Sequence, residues 1–341
     1  MEIIATAPTE TQSPELTQIF DAVAAHYETL RDGQNDTSIE AGELRIDYFQ
    51  SGRNVVYRVH GERLWYLKIP KNGKTDGLIG EARGYRFAND VWEQTPAYLP
   101  VEAVGVSHSP AFIVSAQVQG EQLNQVIYRS CWQPGSGIKQ MRAVLGDFGE
   151  MLALFHKNGI SANAPTISKS LHQKLTDRLK KAKKLDETGK KIEKWLATHS
   201  PVDPQPTLIH GNCTFRNVLV HNHRVHLLDY ETCGTGSRYN DLARMCSDIL
   251  LTRTALIFPW RRAYRLLDVF LQRYHDVYPI EKSLLMQFVS LYLFERYVQV
   301  YLVKKSSESI AGMPVSKAAL RRLLDSLIVE NIEDVFKNIS L

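Results

Sequence analysis

The feature that most constrains this 341-residue chain is a polar loop that runs into a short apolar segment and an aspartate. His210 and Gly211 open the loop, and Asn217 closes it. The apolar segment covers residues 218–220 and 225–228, and Asp229 follows it directly. Short apolar runs separated by polar residues are typical of strands joined by a turn. The sequence therefore predicts a small turn-and-strand segment with one polar side chain before it and another after it.

Asn217 and Asp229 supply the kind of oxygen ligands that Mg²⁺ prefers in proteins. In kinase-type sites, an asparagine and an aspartate in this order hold metal ions. The first residue after the loop opening is then an aspartate that accepts the proton of the substrate. Here that residue is Asn212.

This pattern resembles the aminoglycoside phosphotransferase and choline kinase family, whose signature is HGD, four residues, N, and then a hydrophobic strand ending in D. Residues 145–160 are similar to the helix that precedes the catalytic loop in that family, and they include a Phe-His pair. Residues 241–243 read DLA and resemble the element that follows the metal-binding aspartate. The resemblance thus extends well beyond the loop itself.

The resemblance implies an α+β, bilobal protein-kinase-like fold. Residues 1–118 would form a small N-terminal lobe with a five-stranded antiparallel sheet that covers the nucleotide. Within this lobe, residues 1–40 are expected to be a partly flexible or helical extension. Residues 119–341 would form a mostly helical C-terminal lobe with the catalytic and metal-binding loops.

Composition is that of an ordinary soluble globular protein, with 44% hydrophobic and 23% charged residues. The N-terminal residues lack the pattern of a secretion signal, and the longest apolar stretch, 284–294, is too short and too interrupted to cross a bilayer. We therefore expect a cytoplasmic protein with no transmembrane segment. The four cysteines have no zinc-site spacing and are expected to be reduced thiols.

The periodicity of apolar residues predicts all strands of the small sheet before residue 120, and it changes to helical period from residue 138 onward. A stripe at helical spacing, formed by Met141, Leu145, Phe148, Leu152 and Phe155, predicts a buried helix in the second part. Strands are expected over 43–50, 55–59, 63–70, 101–106 and 111–118. Helices are expected over 14–27 and 77–94, from residue 138 to a stop at Gly159, twice within 254–305, and over 315–336.

Several residues of the first part are candidates for nucleotide binding. Lys68 is the candidate phosphate-binding lysine and Glu81 its partner, as the resemblance implies. For Lys68 the alternative is a strand-end lysine whose ammonium group reaches water. Gly52 lies in a turn where the family places its phosphate-covering loop, although an ordinary hairpin turn fits equally well. By analogy with the adenine-binding hinge we also name four consecutive residues, Ser115, Ala116, Gln117 and Val118.

The second part supplies the candidate catalytic residues Asn212, His210 and Asp229. His210 is expected to brace the loop rather than act as a base, and Asp241 to accept hydrogen bonds from main-chain N–H groups or cap a helix. His156 is expected to be packed rather than a ligand. Arg216 would reach a phosphate or face solvent. Glu231 is a weaker candidate that would act through water.

Asn212 can orient a hydroxyl by accepting a hydrogen bond, but an amide cannot take up the proton. Three interpretations follow. The chain is a slow ATP-dependent, Mg²⁺-dependent phosphotransferase acting on a hydroxyl of a small molecule, sugar or glycan. Alternatively, it is a nucleotide-binding pseudokinase with a regulatory or scaffolding role, or a family enzyme whose aspartate was deliberately exchanged for asparagine.

The net charge of +4 is too small to predict nucleic-acid binding. Surplus positive charge is concentrated in residues 169–194, which is expected to be a solvated helix face or a surface that attracts an anionic acceptor. The sequence does not define the acceptor more closely, and it leaves the oligomeric state open.

Overall fold

The computed structural model places the chain in two compact units. Unit 1 contains residues 1–119 together with 229–233, and unit 2 contains 120–228 and 234–341. The structure describes residues 2–5, 14–33, 37–73, 75–92, 98, 101, 103–131, 136–161, 164, 166, 170–182, 184–252, 260–302, 309–310, 313–314, 321, 324–325, 336–337, 339 and 341.

Unit 1 is an antiparallel sheet with three helices. The sheet has seven strands in the order β1-β6-β7-β5-β4-β3-β2. The elements in chain order are β1 (Glu2–Ala5), α1 (Pro14–Ala25), α2 (Tyr27–Asp32), β2 (Ser38–Ala41), β3 (Leu44–Ser51), β4 (Asn54–His60), β5 (Leu64–Pro70), α3 (Asp76–Trp92), β6 (Ala103–His108) and β7 (Ala111–Ala116).

The α+β class and the antiparallel sheet are confirmed, but the predicted number of five strands is wrong. Strands β1 and β2 are the two additional ones, and they form the two edges of the sheet. Each has only four residues. Runs this short do not show a recognisable alternation of apolar and polar residues, so both were included in the predicted flexible or helical extension.

Strand β5 shows how alternation positions a functional side chain. Trp65, Leu67 and Ile69 are fully buried in the core on one face of the sheet. They pack with an apolar stripe of α1 that includes Leu16, Ile19, Phe20 and Val23. Because successive side chains of a strand point to opposite faces, Lys68 lies on the face away from this core.

Unit 2 is mostly helical. Its elements are β8 (Glu121–Gln122), α4 (Leu123–Cys131), α5 (Ser136–Asn158), α6 (Leu171–Lys181), α7 (Glu187–Thr198), β9 (Thr207–Ile209), β10 (Val218–His221), β11 (Arg224–Leu227), β12 (Gly234–Gly236), α8 (Arg238–Leu251), α9 (Trp260–Val277), α10 (Lys282–Tyr297), a π-helical turn (Val298–Leu302), β13 (Ser309–Ile310) and β14 (Met313–Pro314).

Helix α5 forms the predicted buried stripe, since all five of its predicted core side chains have no exposed surface. It packs closely against α9 at Gly149, where a Cβ atom would lie 2.3 Å from the carbonyl oxygen of Phe270. Any side chain at this position would force the two helices apart. The two predicted long helices within 254–305 are α9 and α10.

The predicted helix over 315–336 lies mostly outside the described residues, as do Lys169 and Lys183 of the basic segment. In the part of the chain that is described, no helix combines the length and apolar character needed to cross a membrane.

Candidate active site

One group of candidate residues is a three-residue charged cluster in unit 1. Lys68 Nζ donates to Glu81 Oε1 at 2.6 Å and to Asp229 Oδ1 at 3.3 Å. Lys68 lies on the central strand β5, Glu81 on α3, and Asp229 at the start of a 3-10 turn. The structure thus brings together three of the side chains singled out from the sequence.

One lysine pairs with two carboxylates in this cluster, so the cluster as a whole has an excess of negative charge. Burial lowers the pKa of Lys68, but Glu81 and Asp229 outweigh this effect and raise it, which keeps the ammonium charged. Burial raises the pKa of Glu81, and the charge of Asp229 adds to that rise. The second carboxylate oxygen of Glu81, Oε2, is buried without a hydrogen-bond partner. An additional cation would relieve this imbalance.

Asp229 has a backbone conformation that sets its side chain apart from the preceding strand. Its φ of 67° and ψ of 60° lie in the left-handed region. Non-glycine residues seldom adopt this region, although aspartate tolerates it better than most. The Asp229 N–H group donates to the Tyr85 hydroxyl at 3.4 Å. This sharp turn ends the strand path and presents a carboxylate at the cluster.

Helix α3 packs tightly on the turn that follows Asp229. A Cβ atom at Gly84 would lie 2.5 Å from Cβ of Tyr230, so only glycine permits this contact. The rings of Tyr85 and Tyr230 meet edge to face with centroids 5.0 Å apart. Glu81 lies on α3 one turn before Gly84 and Tyr85, so these contacts fix the position of Asp229 relative to Glu81.

The β3–β4 turn, which contains Gly52, is linked to the segment after Asp229. Asn54 Nδ2 donates to Glu231 Oε2 at 3.4 Å, and Arg53 Nη1 lies 3.8 Å from Glu231 Oε1. Glu231, predicted to act through water, contacts this turn. The role of Gly52 in a phosphate-covering loop stays a prediction.

The residues named as a hinge lie at the end of β7. Ser115 pairs with both β5 and β6, whereas Gln117 N–H donates to Leu64 O on the β5 side only. The last described pair between β6 and β7 is Val104 with Ser115. Residues 116–118 therefore extend past the pairing with β6. Backbone recognition of a base at this point stays a prediction.

A second group of candidate residues lies in unit 2, in the loop after β9. Asp241 is buried and accepts hydrogen bonds from the N–H groups of His210, at 2.7 Å, and Gly211, at 2.9 Å. Gly211 has a φ of 77°, which glycine adopts without strain. The predicted role of Asp241 as an acceptor of main-chain hydrogen bonds is confirmed.

His210 braces the same loop. Its side chain has no exposed surface, and Nε2 lies 2.8 Å from the carbonyl oxygen of Leu228. Nδ1 accepts a hydrogen bond from the Asn212 N–H group at 3.2 Å. This network assigns the proton to Nε2 and engages both ring nitrogens with the backbone. His210 is thus positioned as a structural residue and not as a proton acceptor.

Asn217 is held on the other side of the loop. Its Nδ2 donates to the Asn212 carbonyl at 2.9 Å, and its own carbonyl accepts from Leu228 N–H at 2.7 Å. The β10–β11 hairpin starts here, with Val218 paired to Leu227. Because the amide nitrogen of Asn217 is engaged, Oδ1 is the atom of this side chain that would bind a metal.

A buried hydrogen-bond chain supports the loop from below. His156 Nε2 lies 3.2 Å from Asp241 Oδ2, and His156 Nδ1 lies 2.8 Å from the Tyr274 hydroxyl. Burial lowers the pKa of His156 and outweighs the opposing effect of Asp241. Burial alone would raise the pKa of Asp241, but the hydrogen bonds and charges of His156 and His210 lower it. Both lowered pKa values agree with a neutral His156 imidazole that donates a hydrogen bond to a charged Asp241 carboxylate.

This chain predicts a specific dependence of stability on pH. The pKa of His156 is lower in the folded protein than in the unfolded chain. The stability that this difference contributes is therefore fully present above the pKa of the unfolded chain, and it is lost as pH falls below about 6.5. The free energy of unfolding should therefore decrease on acidification, by at most about 1.4 kcal/mol per pH unit from this group. Denaturation by urea between about pH 7.5 and 5 measures the slope.

The variant His156→Gln, in which the titrating group is removed, should show a shallower slope over this range, although its stability at neutral pH is lower. The exposed His108 provides the matched control, since His108→Gln should keep the slope of the parent protein. Equal slopes in the parent and His156→Gln proteins would contradict the assignment.

A cavity of about 330 Å³ in unit 2 is lined by Asn212 and Asn217. Arg216 also lines it and is exposed, as the solvent-facing alternative predicts, while contact with a phosphate stays a prediction. The remaining polar lining comes mainly from two helices, α8 with Arg244 and Asp248, and α10 with Tyr292 and Arg296. A volume near the lower end of the range for ligand sites indicates a small ligand.

Arg244, Asp248 and Glu295 were not identified from the sequence as site residues. Arg244 and Asp248 are four residues apart and share one face of α8, and Tyr292 and Arg296 have the same spacing on α10. Polar residues that repeat at helical spacing on these two helices are the signal that the sequence contains. The pattern also fits a solvated face, so it does not identify a cavity by itself.

A family model described as "Phosphotransferase enzyme family" matches residues 48–280. No curated protein matches the sequence significantly.

Solved structures with the same fold include three kinases of small molecules. An amicoumacin kinase, hAmiN, has a TM-score of 0.58 and 13% identity, covering 92% of this chain and 96% of its own. A type I macrolide 2'-phosphotransferase has a TM-score of 0.52 and 18% identity, with coverages of 94% and 99%. A choline kinase from Cryptosporidium parvum Iowa II has a TM-score of 0.52 and 12% identity, with coverages of 93% and 96%. At these identities the structures establish the fold alone.

Proposed function

Because the chain belongs to the phosphotransferase enzyme family, we propose that it transfers the γ-phosphate of ATP to a hydroxyl group of a small molecule, sugar or glycan. The observation that carries this proposal is the cluster of Lys68, Glu81 and Asp229, in which one ammonium group is shared by two carboxylates. Such a cluster has the charges needed to bind phosphates and a divalent cation together. A cytoplasmic location, where thiols stay reduced, accompanies the proposal.

In this proposal Lys68 binds the nucleotide phosphates and Glu81 orients it. Asp229 and Asn217 hold Mg²⁺, which neutralises phosphate charge when bound. The donor set fits that ion, since both residues offer hard oxygen ligands. Asp229 follows Leu228 directly in the chain, and Leu228 is hydrogen-bonded to Asn217. This connectivity supports a role for both residues at the metal.

Two further observations support a nucleotide. The amicoumacin kinase structure was determined in complex with AMP-PNP and Ca²⁺. In this chain, Gly52 and residues 115–118 lie at a turn and a strand end of unit 1, the same unit as Lys68. We propose that the turn covers the phosphates and that residues 115–118 bind adenine through backbone groups.

Asn212 is the residue expected to orient the acceptor hydroxyl. It lines the cavity, and its backbone is fixed by His210 and Asn217. Its side-chain amide accepts a hydrogen bond but cannot remove the proton, so we propose that transfer is slow. A late proton transfer in a loose transition state makes a slow enzyme chemically reasonable.

The same residue favours a second candidate function. A nucleotide-binding pseudokinase with a regulatory or scaffolding role would keep Lys68, Glu81 and Asp229 for binding and have no need of an acid at position 212. The two functions differ in turnover only. A protein that binds Mg-ATP but transfers no phosphate to any acceptor, with either asparagine or aspartate at position 212, would favour the pseudokinase.

Thermal unfolding with and without Mg-ATP tests the proposal for both candidates. At a concentration about 100 times the dissociation constant, ATP should raise Tm by roughly 3–6 °C. Lys68→Met should lose most of this increase, because the phosphates lose their cationic partner. Lys71 is exposed and lies just after the same strand, so Lys71→Met makes the same charge change as a control. Equal stabilisation of the Lys68→Met and Lys71→Met proteins would contradict the proposal.

A further inference from the structure

The cavity beside Asn212 has an unusual concentration of guanidinium groups. Arg216 comes from the loop, Arg244 from α8 and Arg296 from α10, and all three line the cavity. Three separate segments of unit 2 therefore direct arginines to one small space. Arginine is the residue best suited to bind carboxylate or phosphate oxygens, because its fork offers several donors in one plane.

The acidic residues of this cavity do not balance the arginines. Asp248 accepts the Phe215 N–H group at 3.1 Å, and Glu295 pairs with Arg178 of α6 at 2.7 Å. Asp248 and Glu295 are the only carboxylates among the described lining residues. Counting Arg178, the cavity and its immediate partners hold four guanidinium groups and two carboxylates.

The arginines are close enough to affect one another. Burial lowers the pKa of Arg296, and Arg216 and Arg244 lower it further, while Asp248 and Glu295 oppose this. Burial also lowers the pKa of Arg244, but Tyr292, Glu295 and Asp248 outweigh burial there and raise that pKa. Like charges held together in a partly buried space repel one another, and a bound anion removes this repulsion. The excess of guanidinium groups over carboxylates therefore favours the binding of a negatively charged group.

We propose that the phosphate acceptor carries an anionic group, which Arg216, Arg244 and Arg296 bind while its hydroxyl lies at Asn212. This inference rests on the proposed function, because it concerns the acceptor of that reaction. Hydroxyl and anion have to fit within one cavity of about 330 Å³, which favours a small hydroxy acid, sugar acid or sugar phosphate. Amino sugars and quaternary amines, which are cations, should be poor acceptors.

This assignment also separates the cavity from most of the basic segment noted in the sequence. No described residue of that segment is among those that line the cavity, and Arg178 reaches the cavity through its pair with Glu295. Lys190 pairs with Glu187 on the surface of α7 at 2.8 Å. The cationic groups that select the acceptor therefore come from the loop, α8 and α10.

Sulfate is a suitable probe, because it carries the anionic group without a hydroxyl. Calorimetric titration at constant ionic strength, with and without saturating Mg-AMP-PNP, measures its binding. We expect saturable binding to the parent protein in both conditions. Arg216→Gln and Arg296→Gln should each weaken it by about 10-fold, the usual loss for one hydrogen bond to a charged group. Arg216 is exposed, so its replacement should leave the fold intact.

Arg129→Gln is the matched control, since Arg129 is half exposed, pairs with Glu121 and is not among the residues that line the cavity. It should bind sulfate as the parent protein does. The inference is overturned if the parent protein does not bind sulfate, or if both cavity variants bind it as tightly as the control. The heat of AMP-PNP binding in the same samples reports separately on the proposed function, so the two failures can be told apart.

Competition against sulfate then distinguishes the anion. Glucuronate and glucose 6-phosphate offer a carboxylate and a phosphate on the same sugar, and glucose offers neither. Displacement by either charged sugar at concentrations where glucose has no effect supports the inference and identifies the preferred anion. Displacement by glucose as effective as that by the charged sugars would contradict it.

Discussion

Replacing Asn212 with aspartate should increase the rate of phosphoryl transfer by about 10² to 10⁴-fold, the usual contribution of a general base. The substituted residue keeps nearly the same size and the same backbone contacts with His210 and Asn217. What changes is the ability to take up the proton of the acceptor hydroxyl. The effect should appear in kcat, with KM for ATP nearly unchanged, because the nucleotide cluster lies on other residues.

Steady-state transfer of labelled γ-phosphate measures this increase, with the acceptor selected by the sulfate competition. Asn222→Asp is the control, since Asn222 is exposed in the β10–β11 turn and its positive φ of 47° also suits aspartate. The control should keep the rate of the parent protein. An Asn212→Asp protein no faster than the parent would show that position 212 does not receive the proton.

Replacing Asp229 with asparagine should have the largest opposite effect, a loss of kcat/KM of at least about 10³-fold. One electrostatic partner of a developing charge is typically worth 10² to 10³-fold, and here both the metal and the lysine lose a carboxylate. The left-handed backbone at Asp229 also accepts asparagine, so the turn should persist. The loss would then come from charge and not from unfolding.

The control for this change is Asp276→Asn, which removes an exposed carboxylate on α9. Its activity should equal that of the parent protein. Circular dichroism of both variants checks that the fold is kept. An Asp229→Asn protein with more than about a tenth of the parent activity would rule out its role as a metal ligand, given the effect expected.

The elements that form the nucleotide cluster could be predicted from local sequence. Strand β5 is a short apolar run that carries Lys68 near its end, and this run is visible without the structure. The edge strands β1 and β2 could not be recognised, because four residues contain too few alternations. Strand β1 pairs with β6, which lies far from it in the chain, and β2 pairs with β3, which follows it closely.

The loop from His210 to Asp229 could be predicted because its residues are consecutive and their spacing is set by one hairpin. The arginine cavity could not, because it combines position 216 with single residues from α8 and α10. No spacing rule relates residues that meet only through the packing of separate helices. Asp241 is an intermediate case, since its link to His210 follows from the family resemblance although 31 positions separate them.

Calorimetric titration of AMP-PNP in the presence and absence of Mg²⁺, in the parent and Asp229→Asn proteins, tests the central claim most directly. The account predicts that Mg²⁺ tightens nucleotide binding to the parent protein by at least about 10-fold, as expected for an ion that bridges phosphates and a carboxylate. It also predicts that Mg²⁺ does not tighten nucleotide binding to the Asp229→Asn protein. Nucleotide binding that is absent, or that gains equally from Mg²⁺ in both proteins, would contradict it.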